Sequence, residues 1–229
     1  EVELEMGDTN GRNLRYMKGN ILKSVIFTHD GTGVELRQPQ NLLVMSAGAY
    51  YGKNREHGII SAWVRDDDMG IWMHTFIKNG SAANDARWIP RDIEIYTDTV
   101  TGIQRIFLLM GNPGIISGVY DASQPTKICW DDDVEFPKSG SVATRPLGII
   151  QANGSLFFAV GGIVYQRVDG PNPSYKEIIN LGGNVNTDMG GIRGLSAIPN
   201  PNGEGQSIIF VWAPRRGTNS QVKRFDPDG

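Results

Sequence analysis

The sequence is poor in several features that would each identify a class of protein. It has one cysteine, Cys129, so it has neither an internal disulfide nor a multi-cysteine zinc site. We expect this thiol to be buried as a small hydrophobic side chain. No run approaches the eighteen or so apolar residues that a membrane-spanning helix needs. With a net charge of -3, the chain does not have the strong positive field of a protein that binds phosphate backbones. This argues against a nucleic-acid partner.

Helical spacing is also nearly absent over any window of about eleven residues. Short runs rich in Val, Ile, Phe, Tyr and Trp alternate instead with clusters of Gly, Pro, Asn and Asp. The 29 glycines and a hydrophobic fraction of 39% are typical of a turn-rich globular protein. The pattern therefore predicts a fold that is almost entirely β.

One unit recurs four times along the chain. It consists of an apolar strand opened by a basic residue, a turn that contains glycine, and a second, more apolar strand. The copies are residues 23–45, 91–110, 145–160 and 193–212. A third strand follows each copy at residues 58–64, 114–120, 162–168 and 221–225, and a fourth follows the first three at residues 71–77, 127–136 and 175–181. Four antiparallel strands per repeat form a propeller blade, so the sequence predicts an all-β propeller of about four blades.

The repeat also predicts the domain organisation. Residues 1–20 form an N-terminal segment or the end of a preceding blade, and residues 21–229 form the propeller domain. The approximate blades are residues 21–80, 88–137, 143–182 and 191–229. Because the last unit has no fourth strand, we interpret these blades as part of a larger ring.

At the level of these repeats, residues 22–229 resemble the β-propeller superfamily. The hairpin at residues 151–160 is similar to blades of tachylectin-type sugar-binding propellers and of gluconolactonase-like propellers. The Trp-Asp ending of one large propeller group and the Ser-x-Asp-x-Gly-x-Thr-Trp box of sialidase-like propellers are both missing. The resemblance implies a fold, and a fold of this kind carries many unrelated functions.

Repeated arginines are the first candidate site. Arg91, Arg145 and Arg193 open the first strand of three units, with Lys23 at the weaker fourth position. In a propeller these strands line the central channel, so converging guanidinium groups would bind a carboxylate, phosphate or sulfate. The competing interpretation, which we favour, pairs each arginine with an acidic residue of its own or the next blade.

A divalent cation such as calcium in the channel is the second candidate. His29 and Asp30 end the first channel strand, and Asp92 and Asn153 lie on or beside others. The likeness to gluconolactonase-like propellers implies that such a set polarises an ester and activates water, with His29 and Asp30 as catalytic residues and Asp30, Asp92 and Asn153 as ligands. No acidic residue recurs at matching positions, so we expect no metal or other cofactor. The acidic triplets at residues 66–68 and 131–133 are expected to be solvated loops.

Exposed aromatic residues are the third candidate. Tyr50, Tyr51 and Trp88 lie in inserted segments, where exposed rings would stack against sugars. Two sequons place glycosylation sites at Asn79 and Asn153, which would be used in an extracellular or secreted protein.

These observations lead to one function and two alternatives. We expect a non-catalytic, extracellular binding module that recognises an anionic or carbohydrate ligand or a protein partner through the channel mouth and long loops. The first alternative is a metal-dependent hydrolase of the lactonase or esterase type. The second is a structural assembly protein that docks or oligomerises through its open strand edges.

Overall fold

The structure, a computed structural model, describes residues 20–47, 59–66, 71–76, 90–110, 114–124, 127–131, 135–136, 146–182, 191–213 and 219–227. Within these ranges the chain forms fifteen β-strands and no helix. No helix able to cross a membrane is therefore present in the described part. The strands are β1 (Asn20–His29), β2 (Glu35–Ala47), β3 (Ile59–Asp66), β4 (Ile71–Phe76), β5 (Pro90–Thr97), β6 (Gln104–Met110), β7 (Ile115–Tyr120), β8 (Ile128–Trp130), β9 (Pro146–Ala152), β10 (Ser155–Val160), β11 (Ile163–Val168), β12 (Ser174–Asn180), β13 (Gly191–Pro199), β14 (Gln206–Ala213) and β15 (Gln221–Phe225).

The strands form four separate antiparallel sheets, each a simple meander in sequence order. Three sheets have four strands, in the orders β1-β2-β3-β4, β5-β6-β7-β8 and β9-β10-β11-β12. The fourth sheet has the order β13-β14-β15. The hairpin between β9 and β10 turns at Asn153 and Gly154, whose φ angles of 47° and 69° are those of a tight hairpin turn that matches the twist of its strands.

The first strands of neighbouring sheets pack side by side, β1 on β5, β5 on β9 and β9 on β13. Their ends also coincide, since the Tyr96 hydroxyl near the end of β5 lies 3.0 Å from the Gly154 carbonyl oxygen just after β9. At the preceding junction, the Thr28 amide near the end of β1 donates to Gln104 Oε1 at the start of β6. The first strands of neighbouring sheets therefore run in the same direction, and the described residues confirm the prediction of an all-β propeller fold with about four blades.

The second strands of the two middle blades, β6 and β10, have both faces buried. In β6, Leu108 packs toward the first blade while Phe107 packs toward the third. In β10, Phe158 packs toward the second blade while Phe157 packs toward the fourth. This alternation explains why these two second strands are so apolar, because side chains on both of their faces remove apolar surface from water.

Two details differ from the sequence prediction. The outer strand of the second blade is only β8, although the chain returns at Phe136 to form an isolated bridge with Ile115. Cys129 is exposed, so the prediction of a buried thiol is wrong. Ile128 is the residue of this outermost strand that faces the core, and the strand alternation then turns Cys129 away from it.

Candidate functional site

The most unusual polar feature is a buried arginine, Arg167, in the third strand of the third blade. Its Nη1 donates to Asp98 Oδ2 and to Asp169 Oδ1, each at 2.7 Å, and its Nε donates to Glu135 Oε1 at 2.9 Å. The side chain of Arg167 is 3% exposed, and those of the three acids are 4% to 9% exposed. We call these four residues the Arg167 cluster.

Members of the cluster come from both sides of the junction between the second and third blades. Asp98 lies in the turn after β5, Glu135 follows β8, and Asp169 follows β11. The turn position explains why Asp98 is ordered, since its Oδ1 accepts hydrogen bonds from the amides of Val100 and Thr101. Its Oδ2 also accepts one from the amide of Gly170, in the turn of the next blade. The cluster thus joins two turns and two blades.

Aromatic side chains complete the surroundings of the cluster. The Tyr175 hydroxyl donates to Glu135 Oε1 and the Tyr96 hydroxyl donates to Asp169 Oδ2, both at 2.5 Å. The Arg167 guanidinium lies 5.5 Å from the centre of the Phe107 ring and 6.0 Å from that of Tyr96, within the range of a cation–π contact. Nearly every charge in the cluster therefore has a specific partner.

The pKa shifts follow from this geometry. Burial opposes ionisation of Asp98, but the hydrogen bonds from Arg167 and from the amides of Thr101 and Gly170 outweigh it and hold its pKa far below the usual range. Burial also opposes the charge of Arg167, yet the hydrogen bonds to Asp98 and Glu135 raise the pKa of its guanidinium. Burial and the adjacent carboxylates raise the pKa of both Tyr96 and Tyr175, so the two phenols remain neutral donors.

A cavity of about 290 Å³ lies directly against the cluster, and we call it the junction cleft. Its walls come from the β5–β6 turn, from strands of the second blade and from the turn that follows β11. The lining residues are Asp98, Thr101, Ile103, Arg105, Ser117, Asp131, Glu135, Arg167, Gly170, Pro171 and Pro173. The cleft therefore combines carboxylates, guanidinium groups, hydroxyls and the apolar faces of two prolines.

The more accessible polar groups of the cleft are Arg105 and Asp131. Arg105 Nη1 donates to Asp131 Oδ2 at 2.6 Å, and the two side chains are 27% and 39% exposed. The Ser117 hydroxyl contacts the same Asp131 oxygen and lies 2.8 Å from Glu135 Oε2. Ser117 thus links the accessible carboxylate to the buried one. Asp131, the first residue of the acidic triplet at 131–133, is exposed and is contacted by Arg105 and Ser117, and the other two residues lie outside the described part of the chain.

The repeated arginines are only partly described. Arg193 is exposed on β13 and makes no ion pair with any described residue, so the pairing that we favoured does not occur for it there. The side chains of Arg91 and Lys23 and the whole of Arg145 lie outside the described residues. A ring of guanidinium groups stays a prediction.

The residues proposed as metal ligands do not meet at one site. Asp30 and Asn153 follow the ends of β1 and β9, whereas Asp92 lies at the start of β5, where its Oδ2 accepts a hydrogen bond from the Ile149 amide at 3.4 Å. Asn153 is four steps along the chain from Ile149, which amounts to about 13 Å in an extended strand. Asp30 Oδ1 binds the amides of Thr32 and Val34 within its own turn.

Some of the remaining sequence candidates are described by the structure, and the others lie outside the described residues. Within the described part of the chain, no three His, Cys, Asp or Glu side chains form a group that could hold a metal ion. His29 is half-buried and its Nδ1 lies 2.8 Å from Thr28 Oγ1. The Asn153 amide binds the backbone of Gln206 through both its nitrogen and its oxygen. Tyr50, Tyr51, Trp88 and Asn79 lie outside the described residues.

Sequence reasoning missed the Arg167 cluster. Arg167 and Asp169 belong to the third strand and its turn, and Asp98 looks like an ordinary turn residue. The available signal was an arginine at a position that alternation places on the same face as Ile163 and Tyr165, whose apolar side chains are partly buried.

Comparisons with known proteins give fold-level likeness alone. No protein-family model and no curated protein matches the chain. A glycosyl hydrolase from Bacteroides ovatus is 10% identical, with 100% of this chain and 72% of that one covered and a TM-score of 0.40. A second structure is 10% identical, with 93% of this chain and 69% of that one covered and a TM-score of 0.39. It comes from work on the GH130 family of mannoside phosphorylases, which contains glycoside hydrolases that target β-1,2 mannosidic linkages in Candida mannan. Likeness at this level carries no argument about activity.

Proposed function

We propose that this protein is a non-catalytic β-propeller binding module that binds a carbohydrate in the junction cleft. The observation that carries the proposal is the composition of the cleft wall, where Arg105 and Asp131 lie together at the accessible side and the buried Ser117 hydroxyl contacts Asp131 from behind. A sugar hydroxyl is both donor and acceptor, so it is bound best by carboxylate and guanidinium groups placed side by side. The volume of about 290 Å³ suits a ligand of one or two sugar rings.

Preorganisation supports binding at this place. The groups that would contact the ligand are fixed before it arrives, since Asp131 is held by Arg105 and Ser117, and Glu135 by Arg167 and Tyr175. Fixing these side chains in advance lowers the entropy lost on association. Pro171 and Pro173 add a rigid apolar wall against which the carbon-bound face of a sugar would pack.

Binding is favoured over catalysis by the same contacts. Asp131 and Glu135 are each tied to a guanidinium group, whereas a general acid or base has to exchange its proton during the reaction. A hydrolase with a cation in the channel is not favoured either, because Asp30, Asp92 and Asn153 are not brought together. An extracellular location and assembly through strand edges remain predictions that no described contact addresses.

The test is a glycan array probed with the intact chain, followed by isothermal titration calorimetry on each oligosaccharide that binds. Arg105→Met and Ser117→Ala should each lower the affinity for a ligand in the cleft about tenfold. Each substitution removes a hydrogen bond to the ligand or to the carboxylate that binds the ligand. Arg224→Met is the matched control, because Arg224 is exposed and pairs with Asp226 on the fourth blade. Binding that survives both cleft substitutions would reject the cleft as the site.

A second candidate is an anionic ligand at the channel, and the exposed Arg193 is the observation that favours it. Sulfated or carboxylated oligosaccharides on the same array test it. Arg193→Met would abolish their binding while leaving the cleft substitutions without effect.

A further inference from the structure

Among the residues that the structure describes, carboxylates outnumber cations around the junction cleft. Two guanidinium groups bind four carboxylates. Arg105 pairs with Asp131, and Arg167 pairs with Asp98, Glu135 and Asp169. The hydroxyls and backbone amides that complete the network carry no net charge. The surroundings of the cleft therefore hold an excess of negative charge.

Burial makes this excess effective at the cleft. Asp98, Glu135 and Asp169 are 4%, 9% and 7% exposed, so little water or salt lies between them and the cavity. Charges that solvent screens poorly act over longer distances than charges at a surface. A positively charged group in the cleft would gain from this field, and an anion would be repelled by it.

Asp131 offers the place where such a group would dock. Its Oδ2 already accepts hydrogen bonds from Arg105 and Ser117, whereas its Oδ1 accepts none from any described residue. Asp131 is also the most exposed of the four acids, at 39% of its side chain. An ammonium group has three donors and no acceptor, so it matches a cleft in which carboxylate and hydroxyl oxygens converge.

We propose that the junction cleft selects a ligand with a positively charged amino group, which binds at Asp131 Oδ1. The inference rests on the proposed function for the rest of the ligand, which would be a carbohydrate with a free amine. It departs from the expectation of an anionic ligand, because it uses the cleft between the blades rather than the arginines of the channel.

The experiment compares two oligosaccharides whose nitrogen atoms are either free, charged amines or neutral acetamides. Chitosan tetramer carries free amines, and chitin tetramer has the same rings and linkages with each amine acetylated. Calorimetric titration of the intact chain should give an affinity at least tenfold higher for the chitosan tetramer. Raising the salt from about 50 to 500 mM should weaken the chitosan tetramer severalfold and leave the chitin tetramer nearly unchanged.

Substitution at Asp131 ties the preference to this residue. Asp131→Asn keeps the shape and removes the charge, so it should lower the affinity for the chitosan tetramer about tenfold and that for the chitin tetramer less than twofold. Glu204→Gln, the same chemical change in the exposed turn after β13, is the matched control and should alter neither. The salt series on the unaltered chain gives an answer even if the Asp131 variant does not fold.

The outcomes separate this inference from the proposed function. Equal affinity for the two tetramers overturns the charge preference and leaves a carbohydrate module standing. If neither tetramer binds but spermine does, and its binding is weakened by salt and by Asp131→Asn, the amine site is retained and the proposal of a carbohydrate ligand is overturned. Failure of all three probes overturns both.

Discussion

The junctions on the two sides of the third blade are built differently. Toward the second blade, the aromatic core around Phe158 ends in the buried charges of the Arg167 cluster. Toward the fourth blade, the core around Phe157 is apolar and the backbones approach closely, since a methyl group on Gly148 would lie 2.7 Å from the Leu195 nitrogen. The polar links there are a backbone hydrogen bond from the Ile192 amide to the Gly161 carbonyl and the contact of Asn153 with Gln206 at the exposed end of the strands.

The difference shows what each kind of junction provides. An apolar junction stabilises through the surface that it removes from water, and it fits many neighbours of similar shape. A buried ion network gains little net stability, because desolvation offsets the attraction, but it tolerates only one arrangement of its partners. The junction cleft lies beside the network, where polar groups are held in fixed positions.

The largest expected effect is the loss of the cation at the polar junction. Arg167→Met leaves Asp98, Glu135 and Asp169 buried without their common partner, and should lower the free energy of unfolding by about 3–5 kcal/mol in urea denaturation. Arg224→Met removes an exposed arginine whose pair with Asp226 spans 3.5 Å, and should cost less than about 0.5 kcal/mol. Equal losses in the two variants would show that the network does not hold the junction.

The next effect addresses the apolar junction through its close approach. Gly148→Ala forces the β9 and β13 backbones apart and should cost about 1–3 kcal/mol, as overpacking of a filled core does. Gly194→Ala lies on the facing strand, where an added methyl group meets nothing within 4 Å, and should change stability by less than about 0.5 kcal/mol. Thermal denaturation followed by circular dichroism measures both, and a tolerated Gly148→Ala would mean that the sheets adjust freely.

A smaller effect sharpens the account of the polar junction. Tyr96→Phe removes the hydroxyl that donates to Asp169 Oδ2 and should cost about 1–2 kcal/mol, since a hydrogen bond to a charged acceptor is lost. Tyr165→Phe is the control, because the Tyr165 hydroxyl makes no hydrogen bond with a described residue although its ring packs in the same core. Chemical denaturation of the pair would contradict the account if Tyr165→Phe were the more harmful.

The smallest effect is the pH dependence of the polar junction. The folded-state pKa of Asp98 is lowered, so its stabilisation is present above the unfolded pKa of about 4 and is lost as the pH falls below it. This one group changes the free energy of unfolding by at most about 1.4 kcal/mol per pH unit. In Arg167→Met the Asp98 carboxylate loses its cation, so that variant lacks this stabilisation and has less of it to lose as the pH falls. Urea denaturation between pH 7 and 3.5 should show that the difference in the free energy of unfolding between the unaltered chain and Arg167→Met becomes smaller as the pH falls. A constant difference would contradict the stabilisation of ionised Asp98 by Arg167.

The fold could be predicted from the sequence to a large extent, because local signals determine it. The turn at Asn153 and Gly154 and the dense strand around Phe157 and Phe158 are visible in ten consecutive residues. Cys129 shows the limit of this reasoning. Its apolar character suggested burial, but its position on the outermost strand of a blade decides exposure, and the short β8 gives no clear periodicity.

The candidate site could not be predicted in the same way, because it depends on contacts between distant parts of the chain. Asp98 and Glu135 lie 69 and 32 residues from Arg167 in the sequence. Each acid taken alone has the appearance of a solvated turn residue, and only the stacking of the second and third blades brings them to one arginine. Reasoning from repeats made Arg193 and its equivalents the first candidates, because repetition makes a residue visible, whereas among the described residues the Arg167 cluster occurs at a single junction.

The alternation along β10 restricts how this chain can change during evolution. Successive residues of the strand belong to different neighbours, so a single inserted or deleted residue would present Phe157 and Phe158 to the wrong blades. A gene duplication that copied the third blade would likewise produce two surfaces fitted to partners that are not there. Recombination is therefore expected to preserve the length of each second strand and to fall in the loops that join one blade to the next.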